Sequence, residues 1–299
     1  MSRNTSVAEP PDRFHPRGDR FFYWGMGVLG GAYIFLVLGM LLANVAYTFV
    51  GDEPVEQVLD PEYAAEHPIL ATLAQNAVIA ALAKPEIRFS VMLSLVSCTM
   101  TTVLALWVAV PIGYLMSRFQ FRGKPLIDAV LDIPIVLPPL VIGLCLLILF
   151  RFPPFDLFSR FVVFEKPGIV LAQFMVAAAF AVRTMRATFE QISPRQEHVA
   201  MTLGCSQGQA FWRIALPQAT RGILTAATLA WARSLGEFGP ILILASTTRL
   251  HTEVLPTTVF LELQAGNLKA ALAVSLIMIV FALIILVLAR TFGVRQAMA

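Results

Sequence analysis

The sequence predicts an all-α, polytopic membrane protein with about six transmembrane helices. Of its 299 residues, 58% are hydrophobic and only 14% are charged, against roughly 25% charged in soluble domains. The mean hydropathy is +0.75. The apolar residues also gather into six runs, and a helix needs about 20 residues to cross the hydrocarbon core. Helices are the expected spanning element because a lipid-exposed backbone must satisfy its own hydrogen bonds. The net charge of +3 says less than where the charges sit.

Taken in order, the chain opens with a polar tail over residues 1–21, with Arg13, Arg17 and Arg20 ahead of the first apolar run. That run, 22–49, is far longer than the roughly 7–15 apolar residues of a signal peptide, so a retained first span is expected. An outer loop, 50–88, follows. It begins acidic, with Asp52, Glu53, Glu56, Asp60, Glu62 and Glu66, and turns apolar over 69–83. That apolar part is short for a span and suits a helix lying on the membrane or packed against other spans. Further spans are expected at 89–116, 126–150, 168–189, 222–245 and 270–289, with a polar tail over 290–299.

Fourteen Lys and Arg residues fall on the side of the N-terminus and seven on the other. The positive-inside rule then places both termini in the cytoplasm, in a multi-pass protein of the cytoplasmic membrane. It also places the polar loop 190–219 inside.

Several chemistries are not indicated. Cys98, Cys145 and Cys205 suggest neither a disulfide framework nor a zinc site. His15, His67, His198 and His251 are scattered without metal-ligand spacing. There is no G-x-x-x-x-G-K-[ST] phosphate loop and no G-x-S-x-G nucleophile turn. The chain is expected to be non-catalytic, with no cofactor, no metal and no nucleic-acid partner.

Three constellations remain. In the loop 190–219, the stretch from Glu197 to Leu203 favours helix, Gly204 permits a reversal, and a second short helix leads to Ile214, Leu216 and Pro217. In the third span, Pro134, Pro138 and Pro139 remove backbone donors. Freed backbone groups are tolerated where protein or water covers them, so this span is expected to line a pathway or to be kinked for packing. In the fifth span, Arg233 and Glu237 lie four residues apart on one face, beside Gly236, Gly239 and Pro240. Charges at that depth face a partner or a cavity. They either pair to orient the helix, or they offer positive potential to an anion and hold a gate.

The pattern Glu197, Ala200, Gly204 and Ile214-Ala215-Leu216-Pro217 resembles the EAA loop of type I ABC importer permeases, departing from it at His198 and Val199. The stretches 122–128, 133–139, 233–239 and 255–271 resemble the molybdate/tungstate/sulfate branch, closest to molybdate-type permeases. The likeness covers about residues 86–290 and implies a type I permease domain over 89–289. It implies that Glu197, Ala200, Gly204, Ile214, Leu216 and Pro217 couple to an ATPase subunit. Arg233, Gly236, Glu237, Gly239, Pro138 and Pro139 are the candidate pathway and gate residues. It further implies two ATPase subunits, a second copy of the chain, an extracytoplasmic oxyanion-binding protein and residence in the lipid bilayer. Molybdate or tungstate is the leading substrate. Sulfate, thiosulfate, phosphate and ferric iron are rivals on the same fold. A stand-alone secondary transporter and a membrane-embedded enzyme are rivals of other classes.

Overall fold

The computed structural model describes residues 20–50 and 77–295. Expectations for 1–19, for the acidic run within 51–76 and for 296–299 lie outside the described residues. The chain divides into two units, one up to Val50 and one from Gly51 onward. The first holds a single helix, α1 (Arg20–Val50). Its segment Tyr23–Ala46 is long and apolar enough to cross a bilayer.

The second unit is a helical bundle with no strand among the described residues. Helix α2 (Ala77–Ala83) realises part of the apolar stretch expected over 69–83. It packs rather than floats: Ala81 is buried with Ala273, Val274 and Ile277 of the last helix. The long helix α3 (Pro85–Arg118) starts with Pro85 in its first turn, where a missing N–H costs nothing. It buries Ser90, Ser97 and Thr102, whose hydroxyls donate to carbonyls three or four residues back. That satisfies them inside an apolar bundle.

The third expected span, 126–150, is not one straight helix. It divides into α4 (Lys124–Val136) and α5 (Pro139–Leu149), with a bend of 112° between them. The cause is local. Pro138 and Pro139 supply no N–H, and each disfavours helix in the residue before it. Leu137 and Pro138 accordingly take extended ψ values of 140° and 133°.

After a short helix α6 (Asp156–Val162) comes α7 (Lys166–Gln191), which realises the fourth expected span. The loop 190–219 carries α8 (Pro194–Thr202), α9 (Gln207–Ala210), a π-helical turn over Phe211–Ala215, and α10 (Leu216–Gln218). The fifth expected span, 222–245, also breaks, into α11 (Thr220–Leu235) and α12 (Gly239–Leu244). Gly236 and Pro240 flank the break. The chain ends with α13 (Leu255–Gln264) and α14 (Leu268–Arg295). The polar tail expected from residue 290 is thus helical through Arg295.

Among the described residues, four helices are long and apolar enough to span a membrane, or five if the bent α4–α5 pair counts as one. The count falls short of six straight helices because the fifth run is spent on two half-helices.

Helices α3, α7 and α11 form the centre of the bundle. Their contact surface is alanine-rich: Ala105, Ala109, Ala177, Ala181, Ala226 and Ala230 are all buried. Small side chains let backbones approach closely, which is how helices associate without a hydrophobic drive in lipid. At Gly113 a Cβ would lie 2.8 Å from Met185 and Arg186 of α7. One polar lock crosses the three helices. Thr101 donates to Gln173 Oε1 at 3.0 Å, and Gln173 Nε2 donates to the Ser234 carbonyl at 3.2 Å.

Candidate functional site

The loop 190–219 is fastened to the bundle through one carboxylate. Glu197 sits in the first turn of α8 and is 5% exposed. Its Oε1 accepts from Arg118 Nε at 2.9 Å and from the same guanidinium's terminal nitrogen at 2.7 Å. Its Oε2 accepts from the Tyr114 hydroxyl at 2.7 Å. Arg118 also donates to the carbonyls of Phe189 (2.7 Å) and Ile192 (3.0 Å). Those carbonyls lie at the end of α7, where helix C=O groups run short of partners; Phe189 O also accepts from the Ile192 N–H at 3.2 Å. One arginine therefore joins the end of α3, the end of α7 and the start of α8. The ring of Tyr114 meets Phe189 and Phe211 edge-on, with centroids 5.4 and 4.7 Å apart.

Ala200, one turn after Glu197, is also buried. Gly204 then reverses the chain at φ +93°, with open space where a Cβ would stand. Its glycine serves backbone conformation, not packing. Ser206 and Gln209 form a reciprocal capping box at the start of α9. The motif pattern did not single out this S-x-x-Q spacing, the signal that marks such a box. Pro217 lacks the N–H that would continue the ladder. Just before it, the Leu216 N–H reaches back five residues to Phe211 O, forming the π turn. Ile214 and Leu216 are half-buried and Pro217 is exposed.

The other side of the loop faces out. Val199, Met201, Leu203 and Trp212 are exposed, Leu203 at 81% and Trp212 at 67%. The motif residues Glu197 and Ala200 thus hold the loop in place, while their neighbours form its surface. The motif pattern did not single out those neighbours. The signal that could have found Val199 is helical phase: on α8 it lies two residues from the buried Glu197 and so on the far side of the helix.

The second site lies where the two helix breaks meet. A cavity of about 320 Å3 is lined by Pro138, Pro139, Arg233, Gly236, Glu237 and Gly239, together with Leu140 and Phe238. All six pathway residues proposed from sequence share this one lining. Arg233 pairs with Glu237 at 2.6 Å, and the Glu237 side chain is 2% exposed against 29% for Arg233. The guanidinium also lies 5.9 Å from the centre of the Phe180 ring, within reach of a cation–π attraction. Glycines bring the breaks together. A Cβ on Gly239 would lie 3.0 Å from Pro139, and one on Gly143 would lie 2.7 Å from the Pro240 backbone.

Two further groups were not legible in sequence. Asp128 and Asp132 of α4 pair with Arg186 and Arg183 of α7, tying the first half of the bent pair to the bundle. At the end away from the loop 190–219, Glu262 is buried and paired with Arg249 at 2.9 Å. Glu253 is fully buried, and neither carboxylate oxygen has a hydrogen-bond partner. Burial pushes its pKa up, opposed by the Thr258 hydroxyl and Arg249 and reinforced by Glu262 and Glu86. Among the described residues, no group of three His, Cys, Asp or Glu could hold a metal ion.

Residues 109–296, from mid-α3 to the end of α14, match the family described as binding-protein-dependent transport system inner membrane component. The chain belongs to that family, the type I ABC importer permeases. The permease is 34% identical over 213 residues to the molybdate/tungstate transport system permease protein WtpB of Thermococcus kodakarensis, covering 71% of this chain and 77% of that one. WtpB of Pyrococcus abyssi is 40% identical over 152 residues, 51% of this chain and 58% of that protein. That match therefore spans less than two-thirds of the relative's length. The sulfate transport system permease protein CysT of Escherichia coli is 31% identical over 188 residues, covering 61% and 68%. Among solved structures, a bacterial ABC transporter importing the acidic polysaccharide alginate superposes with a TM-score of 0.60. It is 17% identical and covers 94% of this chain and 99% of that one. A likeness at that identity establishes the fold alone.

Proposed function

We propose that the chain is the membrane-spanning subunit of an ATP-driven importer of a tetrahedral oxyanion, with molybdate or tungstate as the substrate. Two copies form the pathway, two separate ATPase subunits dock on the loops 190–219, and a binding protein delivers the anion from outside. ATP is hydrolysed by the docked subunits and not by this chain. Both termini lie in the cytoplasm, as the Lys/Arg asymmetry requires.

The observation that carries this reading is the loop itself. It presents Val199, Leu203 and Trp212 outward while Glu197 and Arg118 brace it against two spans. Exposed apolar side chains on an otherwise polar loop suit a protein partner. Movement of that partner is passed to α3 and α7 through the Arg118 bonds. The gate is the joined break at Pro138–Pro139 and Gly236–Gly239, with Arg233 offering positive potential to the passing anion. A ligand shifts such an equilibrium only by its differential affinity for the two states. Bound ATP and the loaded binding protein are the two biasing ligands. The substrate assignment rests on similarity to proteins named for molybdate and tungstate. Similarity to a sulfate permease keeps sulfate as the second reading.

The test is mild-detergent purification of the tagged chain from native membranes, with mass spectrometry of its companions. An ATPase in about equal amount is expected. Leu203→Glu should abolish that association while leaving the chain's own melting temperature unchanged. A chain that repeatedly emerges alone would sink the motor assignment. Uptake of labelled molybdate, competed by tungstate and not by sulfate, is the expected substrate result.

A further inference from the structure

The segment between α5 and α7 carries apolar side chains that the bundle does not cover. It reads RFPPFDLFSRFVVF over residues 151–164 and holds α6. Phe152, Phe155, Leu157, Phe158, Phe161 and Phe164 are all exposed, Leu157 at 73% and Phe161 at 66%. On α6, Leu157 and Phe161 lie four residues apart and Phe158 and Phe161 three apart, so the three share one face. Arg160 borders that face and is exposed, as is Arg151. The single acid of the segment, Asp156, sits in the first turn of α6, where the helix dipole favours it.

The segment is fastened to the bundle, so these side chains are held outward. Val162 and Val163 pack against the core shared by α5, α7 and α12. The Phe164 N–H donates to the Leu244 carbonyl at 2.9 Å. A Cβ on Gly168 would collide with the Val162 carbonyl, so the segment lies close against the first turn of α7. Phe155 meets the buried Phe150 edge-on, with ring centres 6.3 Å apart.

Position decides what meets the open face. Helix α7 is long and apolar enough to span a membrane, and the loop 190–219 leaves from its far end. The segment therefore lies at the opposite membrane boundary. Exposed apolar patches mark protein or membrane contacts. A face that a soluble protein binds and leaves is about as polar as ordinary surface. This face offers phenylalanine and leucine, with arginine at its border. That is the chemistry of an interfacial helix, which sets an apolar face among acyl chains and basic residues at the headgroups.

We propose that the segment 151–164 is a membrane-interface anchor, with Leu157, Phe158 and Phe161 among the acyl chains and Arg151 and Arg160 at the phosphates of a phospholipid surface. The proposal rests on the membrane-spanning permease reading above and extends it to residues no motif identifies. An arginine stem lies along apolar surface while its head reaches the polar layer, and the guanidinium fork matches phosphate oxygens. The anchor holds the joined ends of α5 and α7 at one depth, which gives the α4–α5 bend a fixed support.

The test reads depth. Phe158→Cys, Phe161→Cys and Arg160→Cys are made singly in the full chain with Cys145→Ser and Cys205→Ser; Cys98 is fully buried and stays. Each protein is purified with whatever subunits accompany it, labelled with a nitroxide and returned to vesicles of phosphatidylcholine and phosphatidylglycerol. Collision with oxygen, which concentrates among acyl chains, is compared with collision with a water-soluble nickel chelate. Labels at 158 and 161 are expected to meet oxygen severalfold more than the chelate. The label at 160 should meet the chelate more than its neighbour at 161 does. Chelate-dominated collision at 158 and 161 would place the face in water. Exclusion of both reagents would place it under protein, a second copy or another subunit. Equal oxygen dominance at 160 and 161 would sink the arginine into the hydrocarbon. Each of these results overturns the proposal. Should the label at 161 disturb the fold, the label at 158 and one on Leu157→Cys decide. A chain that purifies without an ATPase and carries acyl-buried labels would uphold the anchor and sink the motor. An ATPase partner with water-facing labels would do the reverse.

Discussion

The permease uses the same pair of side chains, an arginine and a glutamate, in two places and to opposite ends. At the loop, Arg118 and Glu197 are both nearly buried, at 9% and 6% side-chain exposure. Both carboxylate oxygens are bonded, and the guanidinium also caps α7. At the break, Glu237 is buried but Arg233 is 29% exposed and opens onto a cavity. The first pair is a fastener whose every bond is used. The second is a pair that can be opened without dismantling the bundle. The surroundings set the difference, since the chemistry is shared.

The largest effect expected from breaking this comparison is at the loop. Glu197→Gln or Arg118→Ala leaves a buried charge without its partner, a loss of about 3–5 kcal/mol. A sharp fall in melting temperature and yield is the expected readout. The matching change at the break, Glu237→Gln, removes a buried carboxylate and leaves Arg233 facing the cavity. It should cost less than the change at the loop, because Arg233 keeps its opening to the cavity, while lowering uptake more than stability. Equal losses of stability from the two Glu→Gln changes would refute the distinction.

Between these extremes lies the contact that joins the breaks. Gly143→Ala would set a methyl 2.7 Å from the Pro240 backbone, and overpacking of this kind costs roughly 1–3 kcal/mol. Lower melting temperature with an intact ATPase association is expected, which separates the break from the loop.

The smallest effect is a pH dependence at Glu253, away from both sites. Its pKa lies above the ordinary 4.5, chiefly through burial. A carboxyl group with a raised folded-state pKa favours the fold below the unfolded value, and that contribution is lost as pH rises through the folded value. Glu86, Arg249 and Glu262 act on the same group. Glu253→Gln should therefore raise the melting temperature at neutral pH and change it little in acid. The same gain at both pH values would exclude titration of Glu253 as the cause.

Much of this was written in the sequence where the rule involved is local. Apolar runs of the right length located the long helices, while the fifth run proved to be two half-helices. Gly204 and Pro217 announced the turns of the loop, while the Ser206 cap did not show in the motif pattern. Pro138 and Pro139 announced a disturbance, although a missing donor does not state an angle, and the 112° bend appeared only in three dimensions. What stayed hidden depends on partners far away in the chain. Glu197 reads as a motif residue in a polar loop, and nothing near it says that Tyr114 and Arg118, about eighty residues earlier, will enclose it.

The contact between the two helix breaks has a consequence for motion. A chain that bends at two separate weak points has two independent angles. Here Gly239 rests against Pro139, and Gly143 against Pro240. Weak points in touch cannot bend separately: straightening either half-helix pair pushes on the other. The α4–α5 bend and the α11–α12 break therefore share a single angle.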